Sequence, residues 1–595
     1  MCGIVAGIDQ VDIKNNLINS INYLEYRGYD SAGITLNNSE HEFSTFKLVG
    51  KVRDLKNTIS HEKDHFIGIA HTRWATHGKV CIANTHPHIS NNRIAIVHNG
   101  IIENFSSLKS ELVEMGYKHN SETDSEVIAT LINYYFDQGL DLSSAFKKAI
   151  SRLKGSFAIA AIDSQDDKHI YIATQDSPLV LGLCKSGNYV ASDQIALLEL
   201  TNKFIYLNNK TLGVITQKTI NLEDFNGNKI EPKIVTTDIK LPNISLGSHK
   251  HYMHKEIHQQ AQIAANINAS WDMDKFDLKD LQPKIKNIKI IACGSSYNAG
   301  CVAKYWFEEH CQIPTQVEIA SEYRYHNYIN TEGDLLIFIS QSGETADTLA
   351  ALRESKSRPH LATLAICNEP HSAIVRESDI FLDVMAGKEI GVASTKAFTA
   401  QLITLLHLCF ALKGEYYEDT LLRIKNLPNE INSVLQQEQE IALLAKKIFQ
   451  ADNIIFLGRN INFPIAAEGA LKLKEISYIN ANSYPAGELK HGPLALVDPS
   501  VFLVYLLPSD KILEKNLSNM SEIEARGGNI ITISDQYYGK EGKSNQHALM
   551  LSSSSSITFP IVSNIAQQLL AYYVATYKGH DVDQPRNLAK AVTVE

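Results

Sequence analysis

Cys2 is the first residue of the chain with a chemistry of its own. Removal of Met1 leaves it with both a thiol and a free α-amine. An α-amine titrates at about pH 8 and can take the thiol proton, so nucleophile and base share one residue. The plain alternative is a small residue opening a strand. The residues that follow give Cys2 company: His71, Thr72, Arg73, Trp74, Ala75, Thr76, His77, then His86, Pro87, His88, then His98, Asn99, Gly100, and later Glu122, Thr123, Asp124. A nucleophile that attacks an amide needs donors for the oxyanion, which the Asn99 side chain and the Gly100 backbone N–H can supply. Arg73 suits an α-carboxylate as a fork, and Asp124 suits an α-ammonium. Taken singly, each is more often a turn residue or a satisfied surface charge.

A second group of residues suits a phosphorylated ligand. Ile337-Phe338-Ile339-Ser340-Gln341-Ser342-Gly343-Glu344-Thr345 runs from an apolar strand through hydroxyls and a glycine into a helix starting near Ala346. Such a turn aims N–H groups and hydroxyls from a positive helix end, although Ser and Thr also cap helices with no ligand. Cys293-Gly294-Ser295-Ser296 is a second turn of this kind. Residues 465–479 read as a helix with Glu468, Lys472 and Glu475 on one stripe. An exposed ion-pair ladder is the bland reading. However, Ile465, Leu471, Ile476 and Ile479 share that half of the wheel, so the stripe is expected to face protein, where ionisable groups serve catalysis. His491 lies in a Gly-bounded loop, suited to proton exchange near neutral pH. His249, His251, His254 and His258 form a cluster in which 254 and 258 share a helical face, but no carboxylate or cysteine partner is evident to complete a ligand set, and no metal is expected.

The elements that must position these residues change character along the chain. Strand-like runs at 3–8, 66–70, 94–98, 156–162, 169–174 and 189–192, with few long helices, read as packed sheets with covering helices, an α+β arrangement. The charged, Pro-containing stretch 231–242 reads as a linker. Beyond it, short buried strands alternate with helices at 288–292, 335–339 and 361–366, and again at 454–457, 502–507 and 530–534. This is a doubly wound parallel α/β pattern that occurs twice, an internal duplication. The expected divisions are 2–240, a linker at 241–250, two α/β domains at 251–425 and 445–580, and a tail at 581–595.

Bulk properties exclude several classes. The 595 residues are 44% hydrophobic and 21% charged, as in an ordinary globular protein. Fifty-six Lys plus Arg against 66 Asp plus Glu give a net charge of -10, and without a basic patch this disfavours nucleic acid and anionic membranes. The apolar stretch at 402–412 is too short to span a bilayer, which takes roughly 20 residues. The N-terminus lacks the basic flank and apolar core of a secretory signal, so a cytoplasmic location is expected. Eight scattered cysteines with no C-x-x-C pair fit a reducing compartment.

Together with Cys2-Gly3-Ile4-Val5 and Leu24-Glu25-Tyr26-Arg27-Gly28-Tyr29-Asp30-Ser31-Ala32-Gly33, the first group resembles the glutaminase domain of the N-terminal-nucleophile amidotransferases. That resemblance implies stacked antiparallel sheets, a Cys2 that attacks the glutamine amide, and an oxyanion hole from Asn99 and Gly100. It also implies Arg73, Thr76, His77 and Asp124 as glutamine-binding residues and Trp74 as the gate of an ammonia channel. The second half is similar to the isomerase half of the isomerising glutamine–fructose-6-phosphate aminotransferases. The blocks that carry this are the serine turns, Glu389-Ile390-Gly391-Val392-Ala393-Ser394-Thr395-Lys396, Ala470-Leu471-Lys472-Leu473-Lys474-Glu475-Ile476, and Asp581-Val582-Asp583-Gln584-Pro585-Arg586-Asn587-Leu588-Ala589-Lys590. Ser295 stands where that family often has Thr, and Lys388 where a small residue or Pro is usual.

By this resemblance there are two sugar-isomerase (SIS) domains. Lys590 forms a Schiff base, Glu475 shuttles a proton, and His491 with Lys472 assists ring opening. Ser296, Ser340, Gln341, Ser342, Thr345, Val392 and Ser394 line the sugar-phosphate pocket. The implied substrates are glutamine and fructose 6-phosphate and the product is glucosamine 6-phosphate, the start of amino-sugar synthesis. No cofactor is required and a homodimer is implied. Another N-terminal-cysteine amidotransferase, or a sugar-phosphate-binding sensor, is the alternative.

Overall fold

The computed structural model describes every residue except 1, 39, 60–63, 238–244, 272–280, 415–417, 539–545, 552–554 and 594–595. Residues 241–244 of the expected linker at 241–250 therefore lie outside the described residues. The chain divides into two compact units, Met1–Ile244 with Ala591–Glu595, and Ser245–Lys590.

Among the described residues of the first unit, two antiparallel sheets of eight and seven strands are stacked. The strands are apolar on both parities because each sheet is covered on both faces. From strands Gly3–Asp9 and Ile67–Arg73, Ile4, Ala6, Ile8, Ile67 and Ile69 pack against Ala95, Val97, Ala158, Ala160 and Ile162 of the other sheet. On the outer faces, Val5 and Ala70 meet Leu17, Ile18 and Ile21 of helix Lys14–Asn22. Ile94, Ile96, Phe157 and Ile159 meet helices Phe105–Glu114, Glu126–Asp137 and Leu142–Ile150. Each fully buried Ile or Phe contributes roughly 1.5–3 kcal/mol, so interleaving three such layers fixes the register of Gly3–Asp9, and with it the place of Cys2.

The second unit holds two five-stranded parallel sheets with the same order among the described residues. In the first, strands Asn287–Ala292, Thr315–Ile319, Asp334–Ser340, Ala362–Cys367 and Ile380–Asp383 run 2-1-3-4-5. In the second, Asn453–Gly458, Asn480–Pro485, Phe502–Leu507, Asn529–Ser534 and Gln546–Met550 repeat that order. The duplication read from sequence is thus a duplication of topology. The strands that sequence reasoning passed over, such as Thr315–Ile319 and Gln546–Met550, are edge strands with mixed, half-exposed residues and no apolar run to mark them. The apolar stretch at 402–412 lies within helix Lys396–Lys413, buried along its length chiefly against helices Gly294–Trp306 and Gln260–Ser270. No helix among the described residues is long and apolar enough to cross a membrane.

Candidate active site

In the first unit, Gly3 pairs with Thr72 and Ile4 with His71, which brings Cys2 to the turn that follows Arg73. The Trp74 N–H donates to Cys2 Sγ at 3.3 Å, and Sγ lies 3.5 Å from Trp74 O. Burial pushes the Cys2 thiol above its ordinary range, so the buried sulfur depends on a nearby base to become a nucleophile. Asn99 Nδ2 donates to Cys2 O at 3.0 Å. Gly100 has φ +131°, and a Cβ there would sit 2.0 Å from Ser156 O, so only glycine fits beside Asn99. Arg73 is buried, and its guanidinium donates to His77 O, to Gly78 O at 3.3 Å and to Lys79 O at 3.4 Å, which wraps the 74–79 loop around it. Asp124 Oδ2 accepts from Ile102 N at 2.8 Å. A cleft is lined by Cys2, Arg73, Trp74, Thr76, His77, Asn99, Gly100 and Asp124, so all the glutaminase residues named from sequence converge on it. His86, His98, Thr123, Ser125 and Thr593 complete the wall. His98 Nδ1 and Ser125 Oγ lie 2.8 Å apart, and Ser125 Oγ donates to Asp124 Oδ1 at 3.4 Å, a supporting network that no sequence spacing announced.

In the second unit, Ala292 pairs with Ile339, so the two serine turns leave adjacent strands side by side. Thr348 Oγ1, on the helix after one turn, lies 3.9 Å from Cys293 Sγ of the other. Ser340 Oγ lies 2.9 Å from Thr345 Oγ1 and accepts the Gly343 N–H at 3.0 Å, while Ser342 Oγ accepts the Glu344 N–H at 3.2 Å. Ser296 Oγ accepts from Gln401 Nε2 at 3.1 Å. Gln341 holds the loop through its carbonyl, which accepts the Asn368 N–H at 3.3 Å. The 462–477 helix places its ionisable stripe as the wheel implied. Glu468 and Lys472 are buried, Lys472 Nζ is 2.7 Å from Glu475 Oε2 and 3.4 Å from Glu468 Oε1, and Glu468 accepts from Ser295 and Asn298 at 2.8 and 2.9 Å. Burial would lower the Lys472 ammonium, but the charges of Glu475 and Glu468 raise it, and Glu389 adds to them.

The Lys590 Nζ donates to Glu389, which also accepts the Thr395 and Ala397 N–H groups at 2.9 and 3.0 Å at the start of helix Lys396–Lys413. Burial would raise the Glu389 carboxyl, but Lys590 and these donors hold it below its usual range. The Val392 N–H donates to Asp583 O at 3.2 Å, which ties the tail to the 389–394 loop, and Ser394 is half-buried there. Sequence reasoning did not reach Glu256. Its carboxylate accepts from Ile390 N and, at 3.3 Å, from Gly391 N, and burial together with Glu389 pushes it up to about 8. No motif marks a lone helical glutamate whose partners lie far along the chain. His491 ends the short turn Ala486–His491 and is exposed, outside the Lys472–Glu475 and Lys590–Glu389 pairs. His254 and His258 meet Glu438, which is far from them in sequence, and His249 packs on the His254 ring.

A glutamine amidotransferase domain model matches residues 71–199, and the SIS domain model matches 283–411 and 447–578. The chain is 45% identical over 610 residues to the glutamine–fructose-6-phosphate aminotransferase [isomerizing] of Escherichia coli K12 and to that of Shigella flexneri, with all of each chain covered. It is 44% identical over 612 residues to the Haemophilus influenzae protein of the same name, again over both full lengths. Among solved structures, the C-terminal domain of the Francisella tularensis glucosamine-fructose-6-phosphate aminotransferase matches at 45% identity with a TM-score of 0.55, covering 57% of this chain and 100% of that one. A tagatose-6-phosphate ketose/aldose isomerase from Clostridium novyi, 19% identical with a TM-score of 0.51, covers 57% of this chain and 93% of that one and shares the fold. With the Cys2 cleft in one unit and the duplicated sheets carrying Lys590 and Glu475 in the other, the chain belongs to the isomerising glutamine–fructose-6-phosphate aminotransferase family.

Proposed function

We propose that the chain converts glutamine and fructose 6-phosphate to glutamate and glucosamine 6-phosphate. The observation that carries this reading is the presence in one chain of a half-buried Cys2 beside Asn99 and Gly100 and of a near-terminal lysine held on Glu389. In the first unit, Cys2 attacks the glutamine side-chain carbonyl, its proton passing to the α-amine freed by loss of Met1. Asn99 Nδ2 and the Gly100 N–H stabilise the oxyanion, and the thioester releases ammonia before water yields glutamate. Arg73, Thr76, His77 and Asp124 bind glutamine, with Trp74 gating the route by which ammonia leaves unprotonated. In the second unit, His491 and Lys472 assist opening of the sugar ring. Lys590 then forms a Schiff base at the ketose C2, ammonia displaces the lysine, and Glu475 moves a proton from C1 to C2 to give the aldose. Ser296, Ser340, Gln341, Ser342 and Thr345 hold the sugar phosphate at two helix starts, with Val392 and Ser394 of the 389–394 loop completing the pocket.

The working form is a homodimer in the cytoplasm. Sedimentation of the purified chain tests the dimer. The reaction is tested by incubating the chain with both substrates and assaying glutamate and amino sugar in parallel. Equal amounts are expected, with both lost in Cys2→Ala. Lys590→Arg, which keeps a cation for Glu389 but cannot form the Schiff base, is expected to make glutamate alone. Glutamate without amino sugar from the unaltered chain refutes the acceptor assignment.

A further inference from the structure

The helix Tyr252–His258 carries two histidines one turn apart, His254 and His258, on the face toward Glu438, the first residue of helix Glu438–Ile448. Glu438 Oε1 lies 2.6 Å from His254 Nε2, and Oε2 lies 3.2 Å from His258 Nε2, outside hydrogen-bonding geometry. One donor atom from each of the three falls within 4.8 Å of the others. His249 closes the group: its ring centroid is 4.9 Å from that of His254 and 5.3 Å from that of His258, and its Nδ1 is 2.9 Å from His254 Nδ1. The Tyr573 hydroxyl donates to Glu438 Oε1 at 2.5 Å.

From this arrangement we propose a divalent transition-metal site, of zinc class, with His254 Nε2, His258 Nε2 and the Glu438 carboxylate as protein ligands. Two imidazoles and a carboxylate form a borderline nitrogen–oxygen set that zinc accepts at three positions, with a fourth left to water. With Nε2 on the metal, His254 carries its hydrogen on Nδ1 and donates it to His249 Nδ1, and Tyr573 holds the carboxylate. Such outer partners orient ligands in metal sites generally. The three ligands are about one-fifth to one-quarter exposed, so an ion can reach them.

The ion would join two helices at a place that matters to the sugar site. The Tyr252 and Met253 N–H groups both donate to Asp583 at 2.8 Å, and Glu256 holds the 390–391 backbone beside Glu389. A metal at His254 and His258 therefore fixes the helix that orders the Glu389–Lys590 pair, a consequence that rests on the function proposed above, whereas binding itself does not.

The test uses the full-length chain carrying Cys2→Ala, which removes the catalytic thiol as a competing ligand. After treatment with a chelator and its removal, zinc is titrated and bound metal is measured, with cobalt used in parallel for its visible spectrum. One zinc per chain, a raised melting temperature and a four-coordinate cobalt spectrum are expected. Binding should weaken by about tenfold or more in His258→Asn and in Glu438→Gln, each checked for folding by circular dichroism. The proposal is overturned by no stoichiometric zinc in the parent chain, by a six-coordinate cobalt spectrum of hydrated surface metal, or by variants that fold and bind as the parent does.

Discussion

Asn99 can serve an oxyanion in only one of its two amide orientations, and the residue that selects it is His71. His71 Nε2 lies 3.0 Å from His98 O and 3.1 Å from Asn99 Oδ1. A backbone carbonyl only accepts, so the hydrogen is on Nε2, and the amide oxygen is the atom it holds. Nδ2 is left facing Cys2. Burial lowers His71 to about 3, so this tautomer persists across the working pH range. Asn99→Ala is therefore expected to cut the glutaminase kcat by about 10²–10³-fold with little change in glutamine KM, measured as glutamate release. Glu256 gives a pH signature. Its carboxyl is raised from 4.5 to about 8, so above the unfolded value ionisation favours the unfolded chain, and this stabilising contribution fades as pH rises through 8. The melting temperature of the parent should fall relative to Glu256→Gln between pH 5 and about 8; parallel curves would refute the assignment. Cys2 and Asn99 stood out in the sequence because their types and neighbours are unusual together, Lys590 only through the family resemblance, and the partners that set their orientation did not stand out at all.

At the scale of the element, the 340–345 turn works because one position accepts a conformation closed to other residues. Gly343 has φ +63°, and a Cβ there would lie 1.9 Å from Ser372 Oγ and 2.4 Å from Ser372 Cβ. Gly343→Ala must push the turn off helix Ala373–Glu377 and move the Ser340, Ser342 and Thr345 hydroxyls together. Amino-sugar formation at fixed fructose 6-phosphate should drop by about 10²-fold, while glutamine hydrolysis stays at the parent rate, since the turn lies in the other unit. The 462–477 helix shows what periodicity can deliver. The co-facial apolar residues implied that Glu468, Lys472 and Glu475 face protein, and they do, with Leu473 rather than Leu471 as the buried leucine. Periodicity reports a face. It cannot name what covers it, here Ser295 and Asn298 of the first sheet domain.

The whole molecule is built from two units whose hydrophobic clusters close separately. Those around Ile34, Ile96 and Ile4 lie in the first unit, and those around Phe398, Phe338 and Tyr505 in the second. Units with their own cores unfold as separate cooperative blocks. Scanning calorimetry should show two transitions, with fructose 6-phosphate raising only the one assigned to the second unit and a glutamine analogue only the other. A single transition shifted equally by both ligands contradicts this division.

The sequence by itself determined the two textures of the halves and the repeated parallel sheets, because these follow from residue type, local turn chemistry and short-range periodicity, and it singled out Cys2 and its neighbours as candidates. Only the tertiary structure decided which charges meet. Glu256 and Glu389 converge on one loop, His71 selects the Asn99 rotamer, and Glu438 arrives beside His254 and His258. Each joins residues far apart in the chain whose separation carries no period and no motif. Packing of the sheets and helices sets these meetings, and the hydrophobic pattern that drives packing does not record which polar side chains it will bring together.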